Sequence, residues 1–385
     1  MKKIFIFMAL LLCLFLIACG GGGGGSDAPS GGGNGGNGGN GGSGEAVIPP
    51  SDDYLCFTAN EDGCSISTTV VNGPLTVTPS LEYSTDKEIW TPFIIDSTTV
   101  PLPNTDDKVY IRATDSNASF SESVSKYIKF TMEGSIAASG NIMSLLDKDC
   151  TSTTIPCNSC FSHLFFGCSA LTTAPDLPAM TLASHCYSFM FYNCSSLTEP
   201  PVLSATTLAD SCYSDMFFQC YSLQTTPVLP AITLADSCYE GMFYKCTNLT
   251  MAHDLPATTL AYACCWDMFR NCTSLETAPA LPATTLANSC YEGMFQECSS
   301  LTTAPALPAI SLANSCYKVM FFGCTSLSSI TVNFTTWDNA YTEDWVVGVP
   351  SGGTFICPDG LPDDYPTDFG VTRIPTGWGV QHSTP

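Results

Sequence analysis

Apolar positions recur with a fixed period of 26 along residues 160 to 327, and five of the seven periods open on a motif of the form CYxxMFxxC, with Phe161 and Leu164 departing from it in the first unit and Cys265 in the fifth. Counting the first cysteine as position one, that column reads Cys160, Cys186, Cys212, Cys238, Cys264, Cys290 and Cys316. Position nine repeats it as Cys168, Cys194, Cys220, Cys246, Cys272, Cys298 and Cys324. Phenylalanine fills position six in every unit, from Phe165 through Phe191 and Phe217 to Phe321, and leucine fills position twelve, from Leu171 through Leu197 and Leu223 to Leu327. Within a unit, Cys, Met and Cys at i, i+4 and i+8 predict one face of a short helix. The segment that follows, LTTAPALP in the unit starting at Cys290, contains two prolines and predicts an extended strand ended by a turn. Each unit is therefore expected to run helix, strand, turn, and a fixed period of this size predicts a solenoid.

A single unit cannot fold alone. About five buried side chains contribute roughly 1.5 to 3 kcal/mol each, whereas ordering each residue costs at least about 1 kcal/mol of backbone entropy. Stacking neighbours places like on like and buries both faces of every internal unit. The columns expected to form this core include Cys186, Phe191, Cys194 and Leu197 in one unit and Cys212, Phe217, Cys220 and Leu223 in the next.

Ahead of the repeats, residues 46–134 carry seven short β-branched and aromatic runs, YLCFTA, SISTTVV, LTVTP, LEYST, WTPFII, KVYIRAT and YIKFTM. Runs of this length between turn residues predict a small all-β sandwich. Cys56 and Cys64 flank FTANEDG as a hairpin would, which leaves a cross-strand disulfide and two thiols both open. Residues 135–159 are expected to cap the first repeat, NIMSLLD as a short helix. Residues 331–385 lose the register and are expected to close the far end, with Trp337, Trp345 and Trp378 as plugs or as a sugar-binding platform.

If positions one to nine are helical, the two cysteines of a unit lie about 12 Å apart, beyond the roughly 7 Å limit for a disulfide. Neighbours within a column, about 4.8 Å apart, point the same way. Buried thiols used as packing are the simplest reading, with some disulfides as the alternative. Four histidines, His163, His185, His253 and His382, and a cysteine spacing of this kind match no common zinc pattern, so no metal and no cofactor are expected.

Composition narrows the partners. The 385 residues carry a formal charge of -23, from 35 acidic against 12 basic side chains, which repels nucleic acid. At the N-terminus, MKK precedes a short apolar run, and Leu16-Ile17-Ala18-Cys19 resembles a bacterial lipobox. That resemblance implies a signal peptide over residues 1–18 and acylation of Cys19, hence a lipid anchor in a bacterial envelope; the expected location is the cell surface, at the outer membrane, although no acidic cluster directly after Cys19 marks it. The Gly-rich residues 19–45 would then be a flexible tether with a reach of roughly 25 to 30 Å.

The pattern MFxxCxSLxxAPxLP, in phase across residues 160–330, resembles the BspA-like bacterial leucine-rich repeats, although the period here is longer than is typical of them. The resemblance implies an α/β leucine-rich-repeat solenoid, a parallel strand ladder with short helical segments, preceded by the β-sandwich. It also implies adhesion or interaction: binding of a host protein, a glycan or another microbe. A monomer is expected.

Positions three, four, seven and eight vary between units, and variation on a regular frame is how repeat proteins make binding faces. Position seven reads Phe166, Tyr192, Phe218, Tyr244, Arg270, Gln296 and Phe322. The five aromatics form a candidate binding stripe, stacking on glycan rings or a protein, against the plainer reading that they pack between units. No G-x-S-x-G or H-E-x-x-H motif occurs, so catalysis is not expected. An architectural spacer or self-associating layer component is the alternative function.

Overall fold

In a computed structural model, the described residues are 54–338, 340–362 and 373–383. The alternating runs near the start form nine strands: β1 (Leu55–Ala59), β2 (Cys64–Val71), β3 (Leu81–Ser84), β4 (Thr91–Phe93), β5 (Thr99–Leu102), β6 (Lys108–Ala113), β7 (Ser121–Ser123), β8 (Lys126–Glu133) and β9 (Ile136–Ser139). They make two antiparallel sheets, ordered β4-β3-β6-β1-β9 and β5-β2-β8-β7. Val109, Ile111 and Ala113 of β6 are buried in strict alternation, as one inward face requires. The run LTVTP is not a strand. Pro74 precedes it and Pro79 is its last residue, so a ladder donor is missing at both ends. Cys56 lies on β1 and Cys64 on β2, in different sheets, and both are unbridged thiols.

The sandwich packs directly on the first repeat. The Phe120, Phe130 and Ile136 N–H groups donate to the carbonyls of Cys160, Leu164 and Ala170 at 2.8, 2.8 and 3.1 Å. The segment NIMSLLD forms a single 3-10 turn, Ile142–Leu145, capped by the Asn141 side chain. Ser144 Oγ ties it to the sandwich by donating to the Ile111 carbonyl at 3.0 Å and accepting from Leu55 N–H at 2.9 Å.

The repeats correct the expected architecture. The described residues contain no α-helix, and the protein is nearly all β; it is not an α/β leucine-rich-repeat solenoid. Positions one to nine, expected to be helical, are a succession of tight turns. The reason lies in the backbone: every fourth residue has a left-handed φ, as at Ser159, His163 and Gly167, then His185, Phe189 and Asn193. Such residues cannot continue a right-handed helix. The N–H groups divide accordingly. Those of Ser162, Leu164, Phe166 and Cys168 close turns on the carbonyls three residues back, whereas those of Phe161, His163, Phe165 and Gly167 donate to Cys186, Ser188, Met190 and Tyr192 of the next repeat. A four-residue turn repeats apolar side chains at i, i+4 and i+8 much as a helix does, so the spacing alone does not separate them.

The expected continuous parallel ladder is also absent. The segments after position twelve meet their neighbours only in isolated bridges, such as Leu177 to Leu203 and Thr277 to Thr303. Prolines including Pro175, Pro178, Pro279 and Pro282 remove the donors a ladder needs. Named strands pair in parallel only after the repeats, in a three-stranded sheet of β10 (Ser329–Thr331), β11 (Thr354–Pro358) and β12 (Gly379–Ser383).

Successive repeats nevertheless bury like on like. Phe165, Phe191, Phe217, Phe243, Phe269, Phe295 and Phe321 are fully buried, and their rings stack at 5.3 to 5.9 Å between centroids. Phe130 of β8 extends this column to the sandwich, 5.5 Å from Phe165. At the other end Trp345 is fully buried against Phe321, its indole N–H donating to the Arg373 carbonyl at 2.8 Å. Trp378 is buried as well, donating to the Pro350 carbonyl at 2.6 Å, while Trp337 is half-buried. The tyrosine column at position two is interrupted by Cys265, and a cavity of about 10 Å³ between Tyr239 and Tyr291 marks the missing ring.

Candidate binding face

Position seven projects beside the buried Phe column, and its side chains are half-buried. Phe166, Tyr192 and Phe218 stack nearly parallel, with centroids 4.7 and 4.6 Å apart and interplanar angles of 12° and 8°. Tyr244 closes the run edge-on, 4.5 Å from Phe218. These four are brought together; Phe322 is not, because Arg270 and Gln296 occupy the two repeats between. The mutual stacking of Phe166, Tyr192 and Phe218 covers their facing surfaces, so this part of the column offers an apolar ridge more than open platforms for single sugar rings.

The stripe is wider and more charged than position seven alone indicates. At the sandwich end a second file joins it: Tyr127 of β8 stacks on His163 at 4.1 Å, and His163 on Phe189 at 4.7 Å. Burial holds the His163 imidazole neutral, lowering its pKa to about 3. Lys129 lies over the Phe166 ring at 5.7 Å and donates to the Phe166 carbonyl at 3.1 Å. Lys245 sits 5.2 Å from the Tyr244 ring and Arg270 also 5.2 Å from it, so cations frame the far end of the aromatic run.

Behind Arg270 stands a set of carboxylates at positions three and four: Asp215, Glu240, Asp267 and Glu292. Their placement depends on glycine. A Cβ at Gly241 would lie 2.2 Å from Asp215 Oδ1, and one at Gly293 would lie 2.1 Å from Asp267 Oδ1, so each aspartate fills the space its neighbour leaves. Asp267 pairs with Arg270 at 3.1 Å, and Ser214 Oγ donates to Asp215 at 3.0 Å. Glu240 is only 7 % exposed, and its Oε2 has no hydrogen-bond partner in the chain. Burial, reinforced for Glu240 by the neighbouring acids, raises the pKa of Asp267 to about 6, of Asp215 to about 7 and of Glu240 to about 10. The alternation Asp215, Gly241, Asp267, Gly293 at position four was visible in the aligned repeats; the side-chain burial that gives it meaning was not.

Among the described residues no three His, Cys, Asp or Glu side chains converge as a metal-holding group, and no helix is long and apolar enough to cross a membrane. The column residues Cys186, Cys194, Phe191, Leu197, Cys212, Cys220, Phe217 and Leu223 are all fully buried, and the cysteines among them are unbridged. Cys19, the expected site of acylation, lies outside the described residues. Compared with protein-family models, with curated proteins and with solved structures, the chain matches none.

Proposed function

We propose that this chain is a lipid-anchored surface module of a bacterial envelope that binds a macromolecular partner through the aromatic ridge and performs no catalysis. The observation that carries this reading is the half-buried run Phe166, Tyr192, Phe218 and Tyr244. A monomeric protein has reason to expose such a ridge where something else covers it. A stacked ridge framed by Lys245 and Arg270 suits a protein surface with apolar and acidic groups better than a glycan, whose rings need open aromatic faces. The net charge of -23 disfavours nucleic acid.

The test is capture of arrayed extracellular-matrix proteins and glycans by the full-length chain and by a Y192A/F218A/Y244A variant with unchanged thermal unfolding. Loss of capture supports the ridge; unchanged capture discards it. Anchoring is tested separately by incorporation of a labelled fatty acid, which a Cys19→Ala change abolishes if the lipobox reading is right. The second reading, an architectural spacer, is favoured by the ring spacing itself. At 4.5 to 4.7 Å the outer rings are closer than the buried Phe rings, as a self-satisfied structural seam would be. Concentration-dependent self-assembly without ligand selectivity would support it.

A further inference from the structure

One cysteine pair joins a repeat column to a thiol outside it: Cys160 heads the position-one column and Cys157 precedes the first repeat. Cys157 and Cys160 occupy the ends of a four-residue turn where the chain enters the first repeat. Both thiols converge on one acceptor: Cys157 Sγ lies 3.0 Å and Cys160 Sγ 3.5 Å from the Ala118 carbonyl, which belongs to the sandwich segment between β6 and β7. Ends of such a turn lie within about 7 Å at Cα, and disulfides span about 4.4 to 6.8 Å. The exposures are complementary, since Cys157 is half-buried and Cys160 is completely enclosed.

We propose that Cys157 and Cys160 are a redox-active pair that closes to a disulfide by exchange with an external disulfide, with Cys157 as the entry thiol. The position-nine thiols are built differently. Each position-nine thiol donates to a carbonyl of the adjacent layer, as Cys194 does to Phe165, and its counterpart in the next repeat points the same way. Cys157 has solvent access and a second thiol beside it.

The contact with Cys160, aided by Ser119, pulls the Cys157 thiol down to about 6, whereas the same contact and burial push Cys160 well up. The Ala118 carbonyl opposes ionisation of Cys157, because it accepts only from the neutral thiol.

The step balances as ordinary exchange. The Cys157 thiolate attacks one sulfur of a disulfide R–S–S–R, forming a mixed disulfide and releasing RS⁻, which takes up the proton Cys157 lost. Cys160 then loses its proton, attacks the Cys157 sulfur and expels the second RS⁻ as RSH. Two protein thiols are oxidised by two electrons, and the external disulfide is reduced to two thiols. Closure removes both thiol donors from Ala118 O, so it alters the contact that seats the sandwich on the first repeat.

The experiment equilibrates the full-length chain with oxidised glutathione, alkylates remaining thiols after denaturation, and maps the products by tandem mass spectrometry. The expected product is an internal Cys157–Cys160 disulfide with the position-nine cysteines alkylated. A Cys160→Ser chain is expected to hold glutathione at Cys157, with no internal bridge there. If Cys157 and Cys160 are both alkylated under full oxidation, or if Cys160 is found bridged to Cys186, the proposal is overturned. The wild-type map decides the matter even if the variant does not fold.

Discussion

The Cys194 thiol donates to the backbone carbonyl of Phe165, one repeat earlier, at 3.2 Å. The same bond recurs from Cys220 to Phe191, Cys246 to Phe217, Cys272 to Phe243, Cys298 to Phe269 and Cys324 to Phe295, at 3.0 to 3.1 Å. Even the first repeat keeps it, because Cys168 donates to Phe130 of the sandwich at 3.2 Å. Each Phe carbonyl also accepts the N–H of its own repeat's cysteine, as Phe165 does from Cys168 at 3.0 Å. Position nine thus needs a side chain that is small and apolar enough for a fully buried site yet able to donate one hydrogen bond, and cysteine meets both conditions. Burial keeps these thiols protonated, pushing Cys194 and Cys220 well above the ordinary thiol range.

Cys220→Ala should therefore lower stability by about 1 to 2 kcal/mol, the loss of a buried bond plus a small void. Cys220→Ser, which retains a donor, should recover part of it. Urea denaturation of the three chains measures this. An alanine variant as stable as the parent, or a serine variant worse than alanine, would show that the thiol bond contributes nothing.

The alternation of aspartate and glycine at position four predicts a specific coupling. Gly241 has φ +58°, but Asp267 adopts φ 53° at the equivalent place, so backbone strain is not what requires glycine there. The Asp215 carboxylate is. Gly241→Ala should destabilise by about 1 to 3 kcal/mol through overpacking, and adding Asp215→Ala should restore most of that loss. A double-mutant cycle by chemical denaturation should return a coupling of at least about 0.5 kcal/mol; strictly additive effects would refute the contact.

How much of this was legible beforehand can be seen at particular residues. Phe191 and Leu197 as buried columns, and Trp345 as an end plug, follow from a strict repeat that must bury both faces of each unit. The helix expected over Cys186 to Cys194 does not follow, because a left-handed residue at Phe189 is invisible to hydrophobic spacing: phenylalanine rarely adopts φ 58°, and here its N–H donates to the Ser214 carbonyl of the next repeat at 2.8 Å. The same limit hid the second function of cysteine, since a thiol-to-carbonyl bond across repeats leaves no mark beyond the cysteine itself. The stripe at position seven was readable as a list of aromatics, whereas the interruption that separates Phe322 from Tyr244 matters only once ring distances are known.

The buried acids set a pH dependence whose sign can be worked out. Glu240 has an ordinary value of 4.5 and a folded value of about 10, raised by burial and then by Asp215, Asp267 and Glu292. Above pH 4.5 the unfolded chain has released this proton while the folded chain retains it. Unfolded protein then binds fewer protons than folded protein, so stability falls as pH rises, by about 1.4 kcal/mol per pH unit for one such group. Asp215 and Asp267 act in the same direction up to about 7 and about 6. His163 acts in the opposite direction at lower pH: it is neutral in the folded state down to about 3, so stability is lost as pH falls from 6.5. Between about pH 8 and 9 His163 is neutral in both states and Asp215 and Asp267 are ionised in both, which leaves Glu240 as the main acid contributor of this set. Glu240→Gln should flatten the decline across that window relative to the parent, since the other titrating groups cancel in the difference between the two chains. Parallel pH-stability curves from urea titrations at three or four pH values would show instead that Glu240 is ionised in the folded state.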